Sequence, residues 1–153
     1  MTSYSLISAP LTEIADVERS KKGTIYPKGT IYVQISACKK GTEHIWNILS
    51  EDGTIESKYA VVRMKIPCIP EYLCVALENV TLEWMHKYVG KNINISLDLF
   101  RYLVVRYHSE VREQLEVLAA LKPIQDEIEL IKEQIAREKE TKKWFLGKMM
   151  TCV

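Results

Sequence analysis

The chain has 153 residues, the size of one ordinary domain or of a compact domain with an appendage. Hydrophobic residues make up 47% and charged residues 27%, the balance of a soluble globular protein, which argues against disorder over the whole length. Lysine and arginine number 21 against 20 aspartates and glutamates, which excludes a histone-like polycation but leaves room for a local basic face.

No apolar run approaches the roughly 18 residues of a membrane span. Met1-Thr2-Ser3-Tyr4-Ser5 lacks the basic and apolar regions of a secretory signal, so the chain is expected in the cytoplasm, away from membranes. Cys38, Cys68, Cys74 and Cys152 form no Cys-x-x-Cys pair, and His44, His86 and His108 are scattered. A zinc or redox site needs clustered ligands, so reduced thiols and no metal are expected.

In chain order, Leu11, Ile14 and Ala15 share one helical face and predict a short helix or turn. Ser20-Lys21-Lys22-Gly23 reads as a polar loop. Thr30 to Ser36 alternates and is β-branched, which predicts a strand opened by Pro27-Lys28-Gly29. Trp46–Leu49 and Tyr59–Val62 are apolar runs flanking Asp52-Gly53, and predict a hairpin whose turn uses a positive φ. Ile69-Pro70-Glu71 opens a helix, with proline in the first turn and an acid at the positive helix end. Tyr72, Leu73, Ala76, Leu77 and Val80 form its buried stripe. A second short helix is predicted from Leu82 to Tyr88, stopped by Gly90. Ile93–Ser96 alternates like a strand, Leu97–Arg101 suits one helical turn, and Tyr102–Val105 suits a buried strand.

The composition changes near residue 108. Residues 109–148 hold a single glycine, Gly147, and a single proline, Pro123, among many Glu, Lys, Leu and Ile. The prediction is therefore an α+β protein: a small mixed α/β domain over residues 1–108, then a helical, coiled-coil arm over 109–153. Ile124, Ile128, Ile131, Ile135, Glu138, Lys142 and Phe145 are spaced 4, 3, 4, 3, 4, 3, an a/d seam with two polar positions near its end. Residues 124–148 would span about 37 Å at about 1.5 Å per residue. Such a seam needs burial against something; it could fold back on its own domain, but its length favours pairing with another chain or another copy. Val111, Leu115, Leu118 and Ala119 form a preceding amphipathic stretch. Pro123 is read as a kink or as the first turn of the second helix.

No catalytic set stands out: no Gly-x-Ser-x-Gly, no phosphate loop, no glycine-rich cofactor loop. Glu13, Asp16 and Glu18 read as a solvated face. The chain is expected not to be an enzyme and to hold no cofactor of its own. Basic residues do gather in one stretch, Arg19, Lys21, Lys22, Lys28, Lys39 and Lys40, interleaved with Tyr26, Tyr32, Gln34 and Ser36. Lys87, Lys91, Asn92 and Asn94 form a second group. Residues 1–108 hold 13 cations against 11 acids and the remainder 8 against 9, so the small excess lies on the globular part. Taken alone, these are ordinary solvated lysines as readily as a DNA face.

The residues also resemble a known family. Gly23-Thr24-Ile25-Tyr26-Pro27-Lys28-Gly29-Thr30-Ile31-Tyr32-Val33, Ile69-Pro70-Glu71-Tyr72-Leu73, Lys87-Tyr88-Val89-Gly90, Ile93-Asn94-Ile95 and Leu103-Val104-Val105 look like a target recognition domain of the DNA specificity subunit of type I restriction–modification systems. The order matches too: a closing strand, the pair Glu113-Gln114, then a long helix ending Lys142-Lys143-Trp144-Phe145-Leu146-Gly147-Lys148-Met149. The resemblance covers roughly residues 11–149. Arg106-Tyr107-His108-Ser109 replaces the usual proline-rich strand end, and the globular part is shorter than typical. The usual subunit has two recognition domains joined by two helices, where this chain has one of each.

The resemblance implies a half-length specificity subunit that docks by loops into the DNA major groove. Arg19, Lys21, Lys22, Lys28, Lys39, Lys40 and Lys91 would hold phosphates, and Gln34, Ser36 and Asn92 would read bases. The helix, through Ile124, Ile128, Ile131, Ile135 and Phe145, would pair two copies antiparallel, set the spacing of a split palindromic target and seat a methyltransferase subunit, and with it a restriction subunit. S-adenosylmethionine would be bound by that partner. Two other readings stay open: a coiled-coil adaptor or assembly protein whose α/β head binds protein, and an inhibitor or decoy that caps the methyltransferase without reading DNA.

Overall fold

A computed structural model describes residues 5–36, 45–91 and 94–151. The fold is α+β. The chain divides into two compact units, residues 1–115 and 116–153, here called the head and the arm.

The head begins with strand β1 (Leu6–Pro10), which runs antiparallel to β6 (Val104–His108), Leu6 opposite His108 and Pro10 opposite Val104. One turn of helix, α1 (Leu11–Ile14), buries Leu11 and Ile14 and leads into β2 (Ala15–Arg19). Among the described residues a second, four-stranded antiparallel sheet has the order β2-β5-β3-β4, with β3 at Ile31–Gln34, β4 at Trp46–Ile48 and β5 at Tyr59–Met64. Alternation places Ile31, Val33, Ala60 and Val62 in the core and turns Tyr32, Gln34, Tyr59 and Val61 to the other face.

Helix α2 (Pro70–Trp84) covers the core side. Pro70 occupies its first turn, and Tyr72, Leu73, Ala76, Leu77, Thr81 and Trp84 are buried at helical spacing. Trp46 Nε1–H donates to Thr81 Oγ1 at 2.8 Å, and Trp84 Nε1–H donates to the Leu99 carbonyl at 3.0 Å. Phe100 packs against both indoles, at ring-centre distances of 5.9 and 5.2 Å. This aromatic cluster ties the sheet, α2 and the 3-10 helix Leu97–Tyr102 into one core.

Several expectations need correction. Trp46–Leu49 and Tyr59–Val62 do not pair with each other: β3 lies between β4 and β5, because it alternates on both sides of one buried row. Gly53 is not among the glycines with positive φ; its N–H and C=O instead pair with Tyr26 across loops. Leu82–Tyr88 is no separate helix, since α2 runs to Trp84 and passes straight into a π-helical turn, Met85–Val89. Within the predicted strand 93–96, residues 94–96 are irregular; Ile95 is buried and its N–H bonds to Ile35 O at 2.8 Å. The closing strand starts at Val104, two residues later than expected, and runs through Arg106-Tyr107-His108. No sequence pattern announces β1.

Helix α3 (Val111–Thr151) is continuous over 41 residues, with Pro123 inside it rather than dividing two helices. Lacking an N–H, Pro123 gives up the bond to the carbonyl four residues earlier. The first turn of α3 belongs to the head. From Glu116 onward the helix is the arm, and Ile124, Ile128, Ile131, Ile135 and Phe145 stand exposed.

Candidate nucleic-acid interface

The ends of β2, β3 and β5 bring together residues far apart in sequence. Past Arg19 the chain keeps the ladder for one more residue, Ser20 N–H bonding Tyr59 O at 3.2 Å, and Ser20 Oγ donates to Glu56 O at 2.7 Å. Beyond Gln34, the N–H groups of Ile35 and Ser36 both reach Lys58 O, at 3.0 and 3.3 Å. Ile35 O in turn accepts Ile95 N–H. One end of the sheet therefore gathers Arg19 from the end of β2, Lys21 and Lys22 from the loop that follows, Gln34 and Ser36 from β3 and its exit, Lys58 from the turn before β5, and the 94–96 segment.

The loop carrying Lys21 and Lys22 is braced. Tyr26 Oη accepts Lys21 N–H at 2.9 Å, Thr24 N–H bonds Lys21 O at 3.2 Å, and Tyr26 pairs with Gly53. Gly23 takes φ 79°, a region only glycine enters without strain, which lets the chain reverse right after the two lysines. Both lysines are exposed. A fixed loop that presents flexible cations suits phosphate contacts.

Lys28 is not part of this group. Its N–H bonds Asp52 Oδ1 at 2.7 Å, next to Gly29 and Leu49 at the opposite end of β3. Gln34 lies on the outer face of the sheet and donates from Nε2 to Ser36 O at 3.0 Å. Lys91 is exposed beyond Gly90. Lys39, Lys40 and Asn92, like Cys38, His44 and Cys152, lie outside the described residues. The sequence reading missed Lys58, which sits over the Tyr59 ring at 5.3 Å and 3.4 Å from Glu56, and the edge-on pair Tyr32–Tyr59 at 5.1 Å. Only cross-strand register brings these next to Gln34. The acids of β2 are engaged on the same sheet: Asp16 with Lys65 at 3.1 Å and Glu18 with Arg63 at 3.8 Å.

A second polar cluster fastens the first turn of α3 to the head. Gln114 is fully buried; its Oε1 accepts Ile69 N–H at 2.9 Å and its Nε2 donates to His108 O at 2.8 Å. Glu113 accepts Ser5 N–H and Ser5 Oγ–H, the latter at 2.9 Å. Tyr72 Oη accepts His108 N–H at 2.8 Å and lies 2.6 Å from His108 Nδ1. Burial pushes the nearby thiols up, Cys68 to about 11 despite a hydrogen bond with Gln114, and Cys74 to about 12, with Glu78 and Glu71 adding to the effect. Both thiols are therefore held in the protonated form at neutral pH. Among the described residues, no three His, Cys, Asp or Glu side chains gather as a metal site, and no helix is long and apolar enough to cross a membrane.

No family model and no curated protein matches the sequence. Solved structures share the fold. The HsdS subunit from Thermoanaerobacter tengcongensis aligns at TM-score 0.58 and 13% identity over 84% of this chain and 39% of its own. A chain from a structure addressing complex assembly and conformational transition of the type I R-M system aligns at 0.65 and 13%, over 92% and 43%. The type I restriction–modification S subunit from M. genitalium aligns at 0.59 and 12%, over 92% and 44%. At these identities the likeness is one of fold. This chain spans about two fifths of the length of each of those chains.

Proposed function

We propose that this chain is a sequence-specific DNA-recognition subunit of a type I restriction–modification system, with one recognition head and one helical arm. One observation carries the reading. The head is 115 of 153 residues, so a fold likeness covering 84–92% of the chain takes in helix as well as head, and the structures so matched are HsdS or S subunits or come from a type I R-M system.

In this reading the chain is not itself an enzyme. Arg19, Lys21, Lys22 and Lys58 hold the DNA backbone at one end of the sheet; Lys39 and Lys40 also contact phosphates, and Gln34, Ser36 and Asn92 read base edges. Lys28 and Lys91 serve as outlying phosphate contacts. Two copies pair through Ile124, Ile128, Ile131, Ile135 and Phe145, and the length of the paired helices sets the separation of two half-sites. A partner methyltransferase, which binds S-adenosylmethionine, docks on the arm and brings the restriction subunit with it.

The test is a mobility-shift selection from a random duplex library, with the partner methyltransferase present. The expected result is enrichment of a two-part sequence, with affinity that falls steeply as salt rises. A complex that shows no sequence preference at moderate salt overturns the proposal. Partner binding that survives neutralisation of Lys21, Lys22 and Lys58, with no DNA bound by the unaltered chain, points to the adaptor or decoy instead.

A further inference from the structure

The π-helical turn at the end of α2 has a visible product. In a regular α-helix, residues 84 and 88 lie on one face. Trp84 is in the core, at 4% exposure, so Tyr88 would be driven into the core behind it. Instead the backbone widens: Gly90 N–H bonds Met85 O at 2.8 Å, five residues back. Val89 takes the inward place and is buried, and Tyr88 is turned outward. Gly90, with φ 60°, ends the turn.

Turned outward, Tyr88 stacks on Tyr102 of the 3-10 helix, with ring centres 4.9 Å apart and planes 8° from parallel. Lys87 Nζ sits 5.4 Å from the Tyr88 ring centre, and the Arg101 guanidinium carbon sits 4.9 Å from that of Tyr102. Each aromatic is thus adjoined in sequence and in space by its own cation. Lys91 follows directly after Gly90. Against Lys87, Lys91 and Arg101 stand Glu83, one turn earlier, and Asp98, which leaves one positive charge in excess. The carboxylates that form ion pairs on the sheet hold Lys58, Arg63 and Lys65 instead.

We infer that this cation-flanked tyrosine stack is a second phosphate-binding surface of the head, which takes the sugar–phosphate backbone of duplex DNA. The inference rests on the DNA-recognition reading and adds to it a contact that carries no sequence information. The chemistry favours phosphate over a base. The two rings face each other and the cations lie over them, so what the surface offers is N–H groups rather than an open aromatic face. A guanidinium over a ring can still offer N–H donors to the paired oxygens of a phosphate. Pinning both cations on a stack lowers the side-chain freedom they lose on binding.

The experiment measures the affinity of the full chain, with its partner methyltransferase, for a mixed-sequence duplex across a salt series. Each phosphate contact on B-DNA contributes about 0.9 to the slope of log affinity against log salt. Lys87→Gln with Arg101→Gln is expected to lower that slope by about 1.8 and to leave the preferred sequence unchanged. Tyr88→Leu with Tyr102→Leu keeps both cations, and is expected to keep the slope while weakening affinity several-fold. Thermal unfolding verifies that each variant is folded. A folded Lys87/Arg101 variant with an unaltered slope overturns this inference and leaves the DNA-recognition reading standing. An unaltered chain that binds no duplex overturns both.

Discussion

The isoleucines of the head's core and those of the arm's seam stand in opposite environments. In the head, Ile14, Ile31, Ile35 and Ile95 are 1–3% exposed; in the arm, Ile124, Ile128, Ile131 and Ile135 are 46–54% exposed. The head closes its own core, and among the described residues no buried side-chain nitrogen or oxygen lacks a partner. The arm holds itself with backbone hydrogen bonds and exposed ion pairs such as Lys122–Asp126 and Arg137–Glu133, each worth about 0.3–0.5 kcal/mol. Burying one isoleucine side chain is worth about 1.5–3 kcal/mol. The head's core isoleucines are buried within one chain, while the arm's seam carries exposed apolar surface that the proposed pairing would bury.

The strongest way to break this contrast is to charge the seam. Ile128→Asp with Ile135→Asp puts two carboxylates where the proposed pairing would desolvate them. Light scattering should show the mass of a dimer for the unaltered chain and of a monomer for the variant. The thermal unfolding of the head should not move. Equal masses for the two proteins would end the arm-pairing model, and a destabilised head would show that the two units do not divide the work this way.

The next effect is smaller and lies on the other side of the comparison. Gln114→Leu keeps the bulk of the side chain but removes the amide's hydrogen bonds to the Ile69 N–H and the His108 C=O. Each lost bond costs about 1–3 kcal/mol, so urea unfolding of the head should report a loss of about 2–6 kcal/mol. Glu113→Gln retains an acceptor for the half-buried Ser5 and should cost less. A Gln114→Leu variant as stable as the parent would remove the polar fastening from the account of the head.

Legibility in the sequence follows the same division. The arm's seam, the start of α2 at Pro70 and the alternation of β3 are local patterns, and each is readable without knowing what it touches. Strand β1 is not, because it shows no apolar period: Leu6 and Ile7 are exposed, only Ala9 is buried, and its partner β6 lies about a hundred residues on. The expected hairpin fails for a related reason, since nothing in Trp46–Leu49 or Tyr59–Val62 states that β3 will slide between them. The same long-range pairing assembles the candidate interface. Arg19, Lys21 and Lys22 are visible as a basic run, whereas Lys58 joins them only through the β3–β5 register, and Lys28 leaves the group because its loop is tied to Asp52. Glu113-Gln114 stands out as a motif, but its bonds to Ser5, Ile69 and His108 come only with the fold.

The mildest test separates the units by pH. Cys68 and Cys74 hold their protons to about 11 and about 12 in the folded head, against 9.0 for an ordinary thiol, and burial also raises Tyr72 above its ordinary value of 10.0. A group that binds its proton more tightly when folded contributes fully below its unfolded value, and that contribution is lost as pH climbs through the folded one. The contribution of these groups to the head's stability should be constant up to about pH 9 and fall from there towards 12. Residues 116–151 contain no cysteine or tyrosine, so this described part of the arm lacks this particular loss. In a Trp144→Phe background, the fluorescence of Trp46 and Trp84 reports the head alone. Its urea midpoint should fall above pH 9, and Cys68→Ala with Cys74→Ala should flatten part of that fall. If the double variant follows the parent curve, the thiols are not what makes the head sensitive to alkali, and the contrast between the units rests on packing alone.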